Sequence, residues 1–428
     1  MFVRYNLSVH NRSLFVSLFS GAGGLDLGLE QAGWECVYAS DLDGEAVASL
    51  RANQGRSVAE GVSFLGSAWV EQRDVCDLKA ETVEQLTGGR STRIELLAGG
   101  PPCQAWSSAG LQLGFDDARG RVAREFVRLA GELSPRWLLM ENVRGLLTAR
   151  GPAGVPGEAL DYLRSSLLAL GYQTAVQLLN AADYGVPQRR VRLFVVGFRP
   201  GDEPHFPTQT HARLASGSFG LERPWVTLGD ALGSLGPVEE AEVIRPPELL
   251  RARLEALPAG RGLKSPGKPE ATRPGGHWGY TQGSFVADPL LPARTVTASA
   301  QQDWVRDERW GLRRLTPREC AALQTFPPGW ELPTRAATAY RLIGNAVPPR
   351  LAYHLGRALM AAGDRPPAGD VSDGELLRPL PRHLSAAVEY TRKEERRNGA
   401  SRSAVSSRRS TSPAVWTHMG WCSRSSAR

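Results

Sequence analysis

Short stretches rich in apolar residues recur along roughly the first 200 positions, and several of them end at or next to glycine or an acidic residue. Such stretches are typical of strands buried on both faces of a parallel sheet. Longer stretches of mixed polarity between them predict amphipathic helices. The alternation predicts an α/β fold with a doubly wound, Rossmann-like sheet. The predicted strands cover 14–19, 34–41, 70–78, 94–98 and 137–143, with two more between 172 and 199.

Helix ends carry their own signals. Thr316 followed by Pro317 predicts a capped helix start, because threonine accepts a free N–H group and proline has none to satisfy. Gly344 and Asn345 predict a turn, followed by a helix from about Pro349. Further helices are predicted over 25–32, 44–53 and 158–170. Another is predicted to follow FDDARG at 115–120 and to end at about residue 133.

The stretch 94–103 places a cysteine in an unusual position. Its apolar run ends in two glycines and two prolines, Pro101 and Pro102, and then Cys103. Open α/β sheets bind their ligands at the carboxyl ends of strands, where this cysteine falls. A structural cysteine more often lies inside the apolar run. Cys103 is therefore a candidate nucleophile, although an inert turn cysteine fits this stretch alone.

The turn after the first strand is rich in glycine. Gly21, Gly23 and Gly24 allow the backbone to approach a ligand closely, at the start of a helix. Asp26 occupies the third glycine position of a dinucleotide motif and is a poor neighbour for a pyrophosphate. This favours a nucleoside cofactor without phosphates, although an ordinary tight turn is also consistent.

Three acidic residues lie towards the ends of other predicted strands. Asp41 lies where a doubly wound fold binds a ribose, although it can also cap the next helix. Asp74 can accept a hydrogen bond from an adenine amino group, or lie in a solvated turn. Glu141 lies at the end of a buried strand. Burying a carboxylate costs free energy unless it is paired with another group or takes part in function. We expect Glu141 at the same sheet edge as Cys103.

Two arginines begin the last of these strands. Arg190 and Arg192 are two residues apart, so strand geometry predicts that they point to the same face. Paired arginines suit a substrate carbonyl or a phosphate, and an exposed basic strand start is the plainer alternative.

The composition fits an intracellular protein with an anionic partner. The chain has 428 residues and a net charge of +7, which favours nucleic acid. Its five cysteines are isolated, so neither a zinc site nor a disulfide framework is indicated. No apolar run is long enough to cross a membrane. We expect a cytoplasmic location and no membrane partner.

The amino-acid composition changes after about residue 200, where Pro, Gly and Arg are frequent. This predicts a smaller domain of short strands, with candidate nucleic-acid contacts at Arg273, His277, Trp278, Tyr280, Phe285 and Arg294. The Trp and Tyr residues fit the core of a small domain equally well. The predicted organisation is a lead-in at 1–13, a catalytic domain at 14–200, a target-recognition domain at 201–312, a return to the catalytic domain at 313–363 and a basic, disordered tail at 364–428.

Seven motifs occur in an order that resembles the DNA (cytosine-5)-methyltransferase family. They are FSGAGGLDLG, the strand end at Asp41, GGPPCQ, ENV, QRRVR, RRLTPREC followed by LQTFP, and GNAVPP. The resemblance covers about 14–200 and 313–360. It implies a Rossmann-like domain that binds S-adenosyl-L-methionine (AdoMet), a smaller domain that recognises double-stranded DNA, and a target cytosine flipped out of the duplex.

The resemblance also implies a role for individual residues. Cys103 would be the nucleophile, Glu141 would hold cytosine N3 and its amino group, and Arg192, with Arg190 beside it, would bind cytosine O2. The cofactor would be bound by Phe19, Gly21, Gly23, Asp41, Asp74, Pro101 and Asn345. Two positions depart from the family pattern. Asp41 replaces a more usual glutamate, which would weaken cofactor binding, and Trp106 replaces a commoner phenylalanine.

The resemblance favours a bacterial restriction–modification or orphan methylase that acts as a monomer, with any restriction endonuclease on a separate chain. Three alternatives remain. A tRNA cytosine-5 methyltransferase would share the chemistry, but the insert at 200–312 favours DNA. A nicotinamide or flavin oxidoreductase is disfavoured by Asp26 and by the set of Cys103, Glu141 and Arg192. A non-catalytic nucleic-acid-binding protein is disfavoured because that set and Arg190 are all intact.

Overall fold

A seven-stranded sheet forms the centre of the protein. The computed structural model describes residues 12–90, 94–102, 118–151, 153–213, 222–267, 272–273, 277–278, 283–363 and 377–394. The strands are β1 Leu14–Leu18, β2 Glu35–Asp41, β3 Trp69–Gln72, β4 Ile94–Gly99, β5 Trp137–Val143, β6 Gln173–Asn180 and β7 Val191–Phe198. Their order is β3-β2-β1-β4-β5-β7-β6. In this sheet β7 alone runs against the other strands.

Helices cover both faces of this sheet. Phe15 packs into the hydrophobic core on one face and Val16 into the core on the other, which explains why every residue of β1 except Ser17 is apolar. The helices are α1 Gly24–Ala32, α2 Gly44–Asn53, α3 Ala80–Leu86, α4 Ala118–Leu133, α5 Glu158–Ala169, α6 Leu228–Gly233, α7 Glu248–Glu255, α8 Pro317–Leu323, α9 Ala336–Asn345 and α10 Pro349–Gly363. Within the described residues, 3-10 turns lie at Val75–Asp77, Arg144–Thr148, Ala181–Tyr184 and Glu240–Glu242.

A second, four-stranded sheet lies in the region after residue 200. Its strands are β8 Arg261–Gly262, β9 Phe285–Val286, β10 Trp304–Asp307 and β11 Gly311–Arg314. It has a small core of its own, formed by Leu254, Leu257, Val286, Trp304 and Leu312. Two-stranded pairs join Ser57–Ala59 to Val62–Ser63, His211–Ala212 to Arg223–Pro224, and Thr272–Arg273 to His277–Trp278. The proposed domain boundaries themselves stay a prediction.

Most of the predicted central elements are confirmed, and two are wrong in detail. The strand expected at 70–78 ends at Gln72, because Asp74 starts a 3-10 turn and accepts a hydrogen bond from the N–H of Cys76. The turn expected at Gly344-Asn345 is the last turn of α9. Glycine is needed there for packing, because a Cβ atom on Gly344 would lie 2.1 Å from the carbonyl oxygen of Thr297.

The prediction of a disordered tail is wrong for residues 377–394. They contain a helix, α11, at 382–394. Leu384 and Val388 of α11 are buried in the same core as α4 and α5. The low overall hydrophobicity of the tail concealed two apolar residues four positions apart, which is the spacing of one helical face. Residues 364–376 and 395–428 lie outside the described part of the chain.

Candidate active site

A cavity of about 610 Å³ lies at the carboxyl edge of the central sheet. We call it the site cavity. The segments that end or follow β1 to β5 contribute to its wall, which is where α/β sheets bind ligands. Of the predicted site residues, its lining includes Phe19, Gly21, Asp41, Asp74, Pro101, Glu141, Arg190, Arg192 and Asn345.

The glycine turn after β1 is tied to the end of β2. Phe19 and Gly21 both adopt the left-handed backbone conformation, with φ of 57° and 56°. The N–H of Gly21 donates to Oδ2 of Asp41 over 2.9 Å, and the N–H of Asp43 donates to Oδ1 over 2.9 Å. Burial raises the pKa of Asp41, and these two N–H groups oppose the rise. Asp43, rather than Asp41, caps α2.

Gly23 does not reach the wall of the site cavity; Gly24 lies there instead. Gly23 is the N-cap residue of α1, with φ of 78°. A Cβ atom on Gly23 would lie 2.6 Å from the ring of Phe64, and one on Gly24 would lie 2.2 Å from the carbonyl oxygen of Val347. Both positions therefore require glycine for packing, and only the second borders the cavity.

Glu141 and Arg192 form an ion pair inside the site cavity. Arg192 pairs with Val143 across β5 and β7, so it is the diagonal neighbour of Glu141. Its Nε lies 3.0 Å from Oε1 of Glu141, and both side chains are largely buried. Burial raises the pKa of Glu141, while the charges of Arg192 and Arg190 oppose that rise. The arrangement offers a carboxyl group that can exchange a proton and a cation that stabilises its ionised form.

Arg190 has a different environment, although it also borders the cavity. Its side chain is completely buried. Nη1 donates to the carbonyl oxygen of Val296 over 3.1 Å, and Nη2 donates to that of Gly344 over 2.9 Å. Arg190 therefore holds two remote segments of the wall together, and Arg192 is the arginine that contacts Glu141.

The segment leading to Cys103 lies against Glu141. Nδ2 of Asn142 donates to the carbonyl oxygen of Pro101 over 3.1 Å. A Cβ atom on Gly100 would lie 3.2 Å from Oε2 of Glu141. Pro102 also borders the site cavity. Cys103 and Trp106 lie outside the described residues, so the placement of Cys103 stays a prediction.

Sequence reasoning missed part of the wall. Residues 295–298 line the site cavity beside Arg341, whereas the sequence predicts that they belong to the small domain. The segment is fixed to the residues just before β7, because the N–H of Val296 donates to the buried Gln188 side chain over 2.8 Å. The sequence carries no local signal for this contact, since it joins residues 108 positions apart.

Of the six candidate nucleic-acid contacts in the small domain, the structure describes the side chains of two. Phe285 is buried. Arg294 stacks on Phe285 at 4.5 Å and pairs with Asp303 over 3.4 Å. Tyr280 lies outside the described residues, and the side chains of Arg273, His277 and Trp278 are not described.

The donor set fits a nucleoside better than a phosphate or a metal ion. Asp41 and Asp74 border the cavity with carboxylates that can accept hydrogen bonds from hydroxyl and amino groups, which a phosphate lacks, whereas Asp43 is ion-paired with Arg341. Phe19 and Val75 supply apolar surface to the same cavity, and the volume suits a ligand of nucleoside size. Among the described residues, no cluster of His, Cys, Asp and Glu is arranged to hold a metal ion. None of the described helices is long and apolar enough to cross a membrane.

The strand order and a ligand cavity at the carboxyl edge define a Rossmann-like α/β protein. Solved structures share this fold. A chain described as a DNA modification methyltransferase encoded within an E. coli prophage aligns with a TM-score of 0.59 and 23% identity, over 82% of this chain and 100% of that one. A Spodoptera frugiperda DNMT2 mutant aligns with a TM-score of 0.57 and 17% identity, over 81% and 99%.

Sequence comparison gives the family. The profile of the C-5 cytosine-specific DNA methylase family matches residues 14–219 and 267–361. The chain belongs to this family. It is 33% identical to the type II methyltransferase M.Eco47II of Escherichia coli over 82% of this chain and 79% of that protein. It is 30% identical to M.NgoPII of Neisseria gonorrhoeae, over 84% and 98%.

Proposed function

We propose that this protein transfers the methyl group of AdoMet to C5 of a cytosine within a specific DNA sequence. The reaction passes through a covalent bond between the Cys103 sulfur and C6 of a flipped-out cytosine. The observation that carries the proposal is the buried Glu141–Arg192 ion pair, which faces a nucleoside-sized cavity one strand along from the segment that leads to Cys103.

The end of the site cavity nearest β1 to β3 is the proposed cofactor site. Asp41, fixed by two backbone N–H groups, would accept hydrogen bonds from the ribose hydroxyls. Phe19 would contact the adenine ring and Asp74 its amino edge. Pro101 and Asn345 would border the remainder of the cofactor. AdoMet, when bound, supplies an electrophilic methyl group.

The chain's own residues make cytosine reactive. Cytosine C5 is a poor nucleophile, but addition of the Cys103 thiolate to C6 moves electron density onto C5. Cysteine suits this step because its thiolate is both a strong nucleophile and a leaving group. Glu141 would share a proton with N3 and so stabilise the charge that the addition creates. After methylation, a base removes the C5 proton and the C6–sulfur bond breaks.

The remaining residues position the base. Arg192 would donate to cytosine O2 while its Nε contact keeps Glu141 in place. Arg190 would keep the wall closed around the base. A cytosine inside a duplex is out of reach, so the target must be flipped out, at a cost of roughly a few kcal/mol. The region 201–312 would recognise the flanking sequence.

The type II relatives support a place in a restriction–modification system. We propose that the protein acts in the cytoplasm as a monomer on double-stranded DNA, and that a cognate endonuclease would be a separate chain. An orphan methylase would show the same activity without an endonuclease.

Methyl transfer to purified nucleic acids tests the proposal. The protein and Cys103→Ser are each incubated with AdoMet carrying a labelled methyl group and with unmethylated plasmid DNA or tRNA. We expect label in plasmid DNA for the wild type alone. DNA with 5-fluorocytosine at the target should trap a covalent complex, because fluorine at C5 prevents the final elimination.

The other outcomes discriminate between functions. Label in tRNA and none in DNA would identify a tRNA cytosine-5 methyltransferase. Nucleic-acid binding without label in either substrate would indicate a binding protein without this catalytic activity.

A further inference from the structure

A buried carboxyl group lies directly behind the wall of the site cavity. Asp26, in the first turn of α1, has no exposed surface. The Ser17 hydroxyl donates to its Oδ1, and the hydroxyl oxygens of Ser17 and Ser20 lie 2.8 Å apart. Both serines border the site cavity, and Ser20 begins the turn that carries Gly21 and Gly24. A short chain of hydrogen bonds thus connects Asp26 to the cavity.

The surroundings of Asp26 favour its neutral form. Its Oδ2 is buried and has no hydrogen-bond partner. Burial raises the pKa of Asp26 to about 7, and the negative charge of Asp41 adds to the rise. Two further acids, Glu30 on α1 and the buried Cys36 thiol on β2, belong to the same cluster.

No cation compensates for this charge among the described neighbours. From α10, which packs along α1, Arg350 is directed to the carbonyl oxygen of Gly185 and Arg357 to that of Ala32. Tyr353 approaches α1 at Gly28, a half-turn beyond Asp26. An ionised Asp26 would therefore be a buried charge without a counter-ion, which is strongly unfavourable.

We propose that Asp26 is a positioning residue for cofactor binding, and that its neutral carboxyl group holds Ser17 and Ser20, and with them the glycine turn, in the geometry that binds the cofactor. The inference rests on the proposed use of AdoMet. Asp26 does not touch the cofactor in this account; it acts through the two serines. Loss of its proton places a charge behind the wall and weakens binding.

The test measures nucleoside affinity against pH with methylthioadenosine, a neutral fragment of AdoMet with no group that titrates between pH 6 and 8.5. For the wild type we expect Kd to rise roughly tenfold over this range, which corresponds to a pKa one unit higher in the complex than in the free protein. Asp26→Asn keeps a neutral hydrogen-bonding group, so its Kd should stay constant with pH.

Glu30→Gln is the matched control. Glu30 is a second buried acid one helical turn along α1, but its carboxylate accepts from the N–H of Leu65, away from the cavity. This variant should keep the wild-type rise in Kd. A merely structural role for Asp26 would lower the stability of Asp26→Asn and leave the pH profile of Kd unchanged.

Proton uptake by the wild type gives a second measurement, which stands if Asp26→Asn does not fold. Calorimetry of methylthioadenosine binding in buffers of different ionisation enthalpy should show uptake of a fraction of a proton near pH 7.5. Binding without proton uptake, or a flat wild-type profile, overturns the inference. If neither methylthioadenosine nor S-adenosylhomocysteine binds at pH 6, the proposed cofactor is wrong and this inference falls with it.

Discussion

Arg190 and Arg192 differ in what surrounds their guanidinium groups. Arg190 is enclosed and bonded to two carbonyl oxygens from distant segments, whereas Arg192 contacts the Glu141 carboxylate in the cavity. Strand alternation predicted only that both would point to the same face of the strand; both border the site cavity, although Arg190 precedes β7. Strand alternation could not separate their tasks, because the partners of Arg190 are 106 and 154 positions away in the chain.

The two arginines should therefore respond differently to substitution by lysine. Arg192→Lys is expected to lower kcat by on the order of 100-fold with little loss of stability, because one donor to the reacting site is misplaced. Arg190→Lys is expected to lower the free energy of unfolding by about 2–4 kcal/mol, because lysine cannot satisfy both buried carbonyls. Methyl-transfer kinetics and urea denaturation measure the two effects.

Arg199→Lys is the control for these variants. Arg199 stacks on Tyr172 and donates to the carbonyl oxygen of Leu170, away from the site cavity. It should change kcat little. Equal losses of stability in Arg190→Lys and Arg192→Lys would contradict the division of roles.

Glu30 predicts a pH dependence of stability. Burial raises its pKa from 4.5 to about 8 in the folded protein. Because the folded state holds the proton more tightly than the unfolded chain, the contribution of Glu30 is fully present below pH 4.5 and is lost as pH rises to about 8. Urea denaturation should show the stability of the wild type, relative to Glu30→Gln, falling from pH 5 to pH 8.5. A difference between the two proteins that does not vary with pH would contradict this account.

At the scale of elements, the shape of the site depends on contacts between segments that are far apart in the sequence. The end of α9 touches the backbone of 295–298 at Gly344, and Arg190 bridges the two. Apolar runs with sharp ends predicted β1, β2, β4 and β5, because a strand buried on both faces leaves a strong local signal. The two-residue strands β8 and β9 leave no such signal, and neither does the contact between α9 and 295–298.

Gly344→Ala tests that meeting point. The added Cβ atom would lie 2.1 Å from the Thr297 carbonyl oxygen, so α9 and the segment must separate. We expect a lower melting temperature and weaker cofactor binding, measured by thermal unfolding and calorimetry. Gly233→Ala, at the end of α6, is a matched control because its Cβ would meet open space. Wild-type behaviour of Gly344→Ala would show that the contact is not needed.

At the scale of the whole molecule, α11 extends the catalytic fold beyond the part that matches the family profile. The match ends at residue 361, whereas α11 packs Leu384 and Val388 into a core of the central sheet. Nε of Arg392 also donates to the carbonyl oxygen of Pro156 over 2.9 Å. Composition groups this helix with the basic residues around it, since its longest apolar run is only the three residues 386–388.

Two truncations separate the parts of this tail. Removal of 377–428 exposes the surface beneath Leu384 and Val388 and should lower the free energy of unfolding by about 3–6 kcal/mol. Removal of 395–428 alone should leave stability unchanged, and should modestly weaken DNA binding and reduce its salt dependence. Urea denaturation and DNA titrations at several salt concentrations measure these effects. Equal stability of the two truncated proteins would show that α11 does not support the fold.

The central claim is that Cys103 makes this chain a sequence-specific DNA cytosine-5 methyltransferase. Bisulfite sequencing of plasmid DNA from cells that express the wild type or Cys103→Ala tests it most directly. The account predicts protected cytosines within one short, recurring sequence for the wild type, and none at that sequence for Cys103→Ala. Wild-type DNA without protected cytosines, from cells in which the protein is folded, would contradict the claim; equal protection in both samples would exclude Cys103 as the nucleophile.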